Sequence, residues 1–214
     1  EWTKPDLGIV DYNGSKKNNL VGFRTDGAEY HAEHVNFCLV IHEPDEADAS
    51  RRFKMVFEVH PRDIRAAFSE DGLHWTLSPH NPIIRGNSIE PGGLVGFGGC
   101  YYLNGQGGGL PHPVRGAGKR SLVTYASYDF DHWTQSVVPG FRRDPVPPHP
   151  PTDFEMHRGE QVHMGASLWN RGNVLIGIYG QYHNTSNDRR YGTCDLGLVV
   201  SNDAMHFREP VPDF

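Results

Sequence analysis

A seven-residue phrase recurs three times along this chain and constrains its fold more than any other feature. Ser69-Glu70-Asp71-Gly72-Leu73-His74-Trp75 returns as Ser127-Tyr128-Asp129-Phe130-Asp131-His132-Trp133, and again as Ser201-Asn202-Asp203-Ala204-Met205-His206-Phe207. The shared pattern is Ser-x-Asp-x-x-His-aromatic, with starts 58 and then 74 residues apart. A fixed phrase at such a period marks stacked or radially arranged supersecondary units. Glu1-Trp2-Thr3 matches the tail of a fourth copy, so the expectation is that the chain opens inside a repeat and that further units lie outside it.

Between the phrases the same order of strand-like runs returns. In the first unit these are His34–Ile41, Phe53–His60, Ile64–Ser69 and Leu73–Leu77, rich in β-branched and aromatic residues and bounded by turn formers. The second unit reads Gly93–Gly98, Cys100–Gln106, Ser121–Ser127 and His132–Ser136, and the third Gln161–Trp169, Asn173–His183, Cys194–Ser201 and His206–Glu209. Helical periodicity is confined to the ambiguous stretch Asp63–Phe68. Four antiparallel strands per unit fit a β-propeller blade, giving an all-β chain with about three blades, near residues 30–77, 88–136 and 159–210, after a connection over 1–29. The phrase falls where the third strand of each unit hands over to the fourth. There its Asp and Ser can accept from turn amides while the aromatic packs inward.

Composition excludes several classes. A net charge of -6 without a basic block gives no electrostatic footprint for nucleic acid. No apolar run approaches the 18 residues of a membrane-spanning helix. Cys38, Cys100 and Cys194 are odd in number and widely separated, which indicates neither a zinc site nor a disulfide framework and suggests buried small hydrophobes. Gly105-Gln106-Gly107-Gly108-Gly109 follows a strand with no helix after it, so it is no phosphate loop.

The first strand of a propeller blade lines the central channel, so polar residues at its start converge on the axis. Three such places exist, at Glu33-His34-Val35-Asn36, Ser88-Ile89-Glu90 and Gly159-Glu160-Gln161-Val162-His163. Glycoside hydrolysis needs one carboxyl to assist the leaving group and one carboxylate as base or nucleophile. Glu90 and Glu160 are the principal candidates, with Glu33 third. Sugar sites also use amides, histidines, arginines and aromatics, which adds His34, Asn36, His163, Gln106, Gln181, His183, Arg143, Asp144, Tyr101 and Trp169 as binding candidates.

The phrase and the blade pattern resemble the five-bladed propeller glycosidases of the glycoside hydrolase family 43 and 32 superfamily. The opening Trp2–Gly8 and Asn13–Asn19 look like a bacterial, glycosyl hydrolase-like branch of it. The phrase is also similar to the sialidase Asp-box, one residue shorter. The resemblance implies a glutamate on an inner strand as general acid, a place that Glu160 or Glu90 fits, with Glu160 preferred. It implies an aspartate as base or nucleophile on a first blade that this chain need not contain. It further implies calcium near a central histidine, here His163, with no cofactor required, and a transition-state aspartate in Arg142-Arg143-Asp144-Pro145. The partner expected is a carbohydrate substrate, with no nucleic acid or membrane, and blades supplied by the rest of a longer polypeptide. A non-catalytic carbohydrate-binding propeller is the alternative. A sialidase-like enzyme is the second alternative; it needs three arginines, for which Arg24, Arg85 and Arg143 are available, and a Tyr-Glu pair.

Overall fold

A computed structural model describes residues 2–24, 29–30, 35–59, 63–86, 89–107, 120–143 and 158–211. The chain is all-β and of the β-propeller class, with about three blades, as the repeats predict. It divides into two compact units, Glu1–Gly86 and Asn87–Phe214.

The first unit holds β1 (Phe23–Arg24), β2 (Glu29–Tyr30), β3 (Val35–His42), β4 (Phe53–Val59), β5 (Asp63–Ser69) and β6 (Trp75–Leu77). Consecutive strands β3 to β6 pair antiparallel, and β1 adds in parallel to the outer strand β6, a pairing absent from the sequence reading. Alternation along β4 sends Met55, Phe57 and Val59 to one face, where they meet Phe23, Ala67 and Trp75 in a single core. Lys54 points the other way and is buried. Its ammonium sits 2.6 Å from Glu43, 2.7 Å from Glu46 and 2.9 Å from the Arg51 carbonyl, the partners a buried charge requires.

The second unit holds two sheets. One is β7 (Ile89–Phe97), β8 (Cys100–Gly107), β9 (Ser121–Ser127) and β10 (Val138–Phe141); the other is β11 (Gln161–Asn170), β12 (Leu175–His183) and β13 (Thr193–Ser201). Two predicted fourth strands differ. Residues 132–136 form no strand: Trp133 makes an isolated bridge to Ser127, the chain bends, and ladder pairing resumes at Val138. Residues 206–209 form none either, because their backbone divides its bonds between Val200, through Arg208, and Gly140, through Phe207. Of the cysteines only Cys100 is buried; Cys38 and Cys194 lie on strand faces open to solvent, contrary to the expected burial.

The two sheets of this unit pack through Leu122, Val162, Ala166, Tyr179, Val199 and Phe207. Where β7 meets β11 the backbones are nearly in contact, and a Cβ on Gly93 or Gly165 would overlap the opposite strand. Asn104, fully buried, seals this seam with its amide: Nδ2 donates to the Ala166 carbonyl at 3.0 Å, and Oδ1 accepts from the Ala166 N–H at 2.8 Å.

The repeated phrase builds the same turn three times. Each Asp accepts two backbone N–H groups on Oδ1, from Leu73 and His74 at 2.8 Å, from Asp131 at 2.9 Å and His132 at 2.7 Å, and from Met205 at 2.9 Å and His206 at 2.7 Å. Each Oδ2 stands 2.7 Å from the Nδ1 of the phrase histidine. The serine hydroxyl accepts from the N–H of the fourth residue, which is left-handed in every copy: Gly72 at φ 77°, Phe130 at φ 70° and Ala204 at φ 62°. The aromatics Trp75, Trp133 and Phe207 are buried as expected, and the indoles donate back to the carbonyls of Gly72 and Phe130.

Register now relates the inner strands. Five residues before the phrase serines stand Ile64, Leu122 and Leu196, paired with Glu58, Gln106 and Gly180. These in turn pair with Asn36, Glu90 and His163. Asn36, Glu90 and His163 therefore occupy one equivalent position, immediately before or at a bulge in their strand.

Candidate active site

Two hydrogen-bonded groups lie in the second unit, each centred on one of the sequence-predicted glutamates. The first forms because Glu90 and Gln106 are cross-strand partners and share a face of the sheet. Gln106 Nε2 donates to Glu90 Oε2 at 2.9 Å, and Gln106 Oε1 accepts from the Met164 N–H at 3.0 Å. These bonds fix which way the amide faces. His163 Nδ1 lies 3.0 Å from that same Oε1 and 2.9 Å from Arg120 Nη1. A neutral imidazole satisfies one of these neighbours at a time: as Nδ1–H it donates to Gln106, and as a bare Nδ1 it accepts from Arg120. Burial, then the Arg120 charge, lowers the affinity of His163 for a proton below the ordinary value of 6.5.

The second group is built on β12, where Tyr179, Gln181 and His183 alternate onto one face. Arg143, in the coil after β10, enters it with its side chain only 4% exposed. Its Nη2 and Nε donate to Glu160 Oε2 at 2.9 and 3.3 Å, and its Nη1 donates to Glu209 at 2.6 Å and to the Tyr179 hydroxyl at 2.8 Å. Glu209 also accepts from the Tyr179 hydroxyl and from Gln181 Nε2, the latter at 2.9 Å. His183 Nδ1 approaches Glu160 Oε2 at 2.7 Å, and its Nε2 is 3.6 Å from Asp195. Burial opposes the Arg143 charge, but Tyr179 and Glu160 outweigh it and raise the guanidinium further; burial and Glu209 push the Tyr179 hydroxyl up to about 12.

Both glutamates thus have one tethered oxygen. Oε2 carries every hydrogen bond, while Oε1 of Glu90 and of Glu160 makes none among the described residues. The Glu160 side chain is 38% exposed, so its open oxygen can meet a ligand.

Of the other candidates, Gln106 and His163 join Glu90, while Arg143, His183 and, through Glu209, Gln181 join Glu160. Asn36 lies in the first unit, exposed on β3. Tyr101 packs edge-on against Phe130 at 5.1 Å, and Trp169 is exposed with Arg171 4.3 Å over its ring. Glu33, His34 and Asp144 lie outside the described residues. Sequence reasoning missed Glu209, Tyr179, Arg120 and Asp195. Only strand alternation from Gln181 pointed toward Tyr179; Glu209 and Arg120 come from segments with no motif.

The described surroundings of His163 do not suit calcium, because the Arg120 guanidinium occupies its Nδ1 side. Among the described residues no group of three or more His, Cys, Asp or Glu side chains is placed to hold a metal ion. The Tyr-Glu pair that a sialidase-like site needs is present as Tyr179 and Glu209, but Tyr179 is buried and Arg143 is saturated by two carboxylates. That pairing leaves the guanidinium nothing with which to clasp a substrate carboxylate.

Neither a protein-family model nor a curated protein matches this chain. Solved structures do. A complex of BT0996 with RGII is similar with a TM-score of 0.51 at 15% identity, over 84% of this chain and 50% of that one. A Dyadobacter fermentans protein of unknown function is similar with a TM-score of 0.50 at 12% identity, over 82% and 54%. A Bombyx mori GH32 β-fructofuranosidase follows at 0.46 and 13%, over 74% and 32%. The likeness is one of fold. The chain spans about a third to a half of the length of these proteins.

Proposed function

We propose that this chain carries a paired-carboxylate site for hydrolysis of a glycosidic bond in an oligo- or polysaccharide, worked by Glu160 and Glu90. One observation carries the reading: both side chains are tethered through a single oxygen and present the other. A base, nucleophile or acid needs an oxygen free to reach the substrate, and here the tether on Oε2 fixes each carboxyl while leaving Oε1 for that role.

The tethers differ, and the difference assigns roles. Oε2 of Glu160 faces a fixed guanidinium and an imidazole, surroundings that suit a group working as a carboxylate. Glu160 is therefore the base or nucleophile. Glu90 is held by a neutral amide that tolerates either protonation state, so Glu90 is the acid that protonates the leaving oxygen. This reverses the preference drawn from resemblance, which placed the acid at Glu160. A carbohydrate substrate suits the groups around the two glutamates, the Gln106 amide and the His163 and His183 imidazoles, which can donate to and accept from sugar hydroxyls.

The test is turnover of a panel of aryl glycosides by the chain and by Glu160→Gln and Glu90→Gln. Loss of an acid–base group lowers the rate roughly 10²–10⁴-fold. Glu160→Gln should lose it on every substrate, Glu90→Gln mainly on substrates with poor leaving groups. Unchanged turnover in both variants removes these residues from the mechanism. Sugar binding without turnover in the parent chain favours the binding-module alternative.

A further inference from the structure

The arginines of the second unit stand in contrasting states. Arg143 is saturated by two carboxylates and a hydroxyl. Arg190 is tied to Asp188 through Nε at 3.0 Å and Nη2 at 2.5 Å. Arg120 meets only His163, through Nη1, and its Nε and Nη2 have no side-chain or backbone partner among the described residues. Arg189 is exposed, and its guanidinium has none either among them.

The place of Arg189 is set by its neighbours. It opens a 3-10 turn, Arg189–Tyr191, whose preceding carbonyl, that of Asp188, accepts from Asn184 Nδ2 at 3.0 Å. The same Nδ2 donates to the Tyr182 hydroxyl at 2.9 Å, and the Tyr182 ring stands 6.0 Å from that of His163. Arg189 and Arg120 both act electrostatically on His163, as does Glu90 with the opposite sign. Arg120 therefore contacts the imidazole that touches the Glu90–Gln106 pair, and Arg189 follows the Asp188 carbonyl that Asn184 links to Tyr182 beside the same ring. Both guanidinium forks lack counter-ions among the described residues. A planar fork with free donors matches a carboxylate.

We propose that Arg120 and Arg189, with His163, form a subsite for a carboxylate-bearing sugar residue next to Glu90. The inference deepens the carbohydrate reading and rests on it. It also names a local consequence. A carboxylate on Arg120 draws Nη1 away from His163 Nδ1, and the imidazole then turns its Nδ1–H onto Gln106 Oε1, the atom whose orientation Glu90 and Met164 fix. Occupancy is thereby read out in the tautomer of His163.

The experiment titrates the 15N-labelled chain with a galacturonic acid trisaccharide and with its fully methyl-esterified counterpart, the same sugar without charge. The acid should bind about tenfold or more tightly than the ester, and more weakly in high salt, as a charge-assisted pair requires. His163, assigned by comparison with His163→Gln, should move from an Nε2–H to an Nδ1–H nitrogen pattern. Arg120→Gln should abolish both effects, and Arg189→Gln should reduce the preference for the acid, with thermal melting of both variants unchanged. Equal affinity for acid and ester overturns the subsite while leaving a carbohydrate function standing. A preference that survives Arg120→Gln overturns it too. Binding of neither trisaccharide also overturns it, and turnover of the aryl glycosides then judges the carbohydrate reading separately.

Discussion

Two kinds of carboxylate occur in this protein. The phrase aspartates Asp71, Asp129 and Asp203 are closed: Oδ1 takes two amides and Oδ2 takes an imidazole, all within three residues in sequence. Glu90 and Glu160 are open, with one oxygen anchored by partners distant in sequence (Gln106 for Glu90, Arg143 and His183 for Glu160) and the other unengaged among the described residues. The same functional group is fully engaged in one setting and half engaged in the other. What separates them is whether local backbone exhausts the acceptor capacity.

The contrast can be broken most forcefully at Arg143. Arg143→Ala leaves Glu209 and Tyr179 buried without their cation, at an expected cost of about 3–5 kcal/mol in urea unfolding. A cost below about 1 kcal/mol would show that the cation contributes little to the fold. Next is Asp203→Ala, which strips two amides of their acceptor, as in loss of a helix cap, and should cost about 1 kcal/mol by the same measurement. Glu90→Gln, an isosteric change at an open carboxylate, should leave unfolding nearly unmoved. Ala204→Gly sharpens the comparison from the other direction. It relieves a left-handed alanine but deletes a fully buried methyl packed with Val95 and Leu175, so the two effects, each about 1 kcal/mol, should nearly cancel and leave Tm almost unmoved.

The closed carboxylates also set a dependence on pH. The hydrogen bonds to Asp71 and, against some burial, to Asp129 and Asp203 hold these carboxyls well below their ordinary 3.8. Their stabilisation is present above that value and fades as pH falls below it. Asp129 raises His132 above its ordinary 6.5, so that contribution is full below 6.5 and fades as pH rises through the raised value. Melting temperature should therefore peak between about pH 4 and 6.5, and Asp129→Asn should flatten both shoulders. A profile with its maximum above pH 8 would contradict the assignment.

Legibility in the sequence follows the same line. The phrase was readable because every bond that shapes it is local, and of the strands leading into it Ser121–Ser127 was placed to the residue and the other two to within one. Two of the outer strands after the phrase, at 132–136 and 206–209, were misplaced, the latter because its pairing depends on distant partners such as Gly140. Glu90 and Glu160 were singled out as candidates by their position at strand openings. Glu209 and Arg120 were not, since the contact between Arg143 and Glu209 spans 66 residues and that between Arg120 and His163 spans 43. No motif encodes a partner supplied by folding alone.

The side chain of Asn104 has a consequence beyond its own two bonds. Its carboxamide presents a donor and an acceptor to Ala166 just as a peptide group would, so the ladder of β8 effectively continues into β11. Stitched this way, neighbouring wedges resist sliding past each other, and a reacting group mounted on either one inherits the stiffness of both.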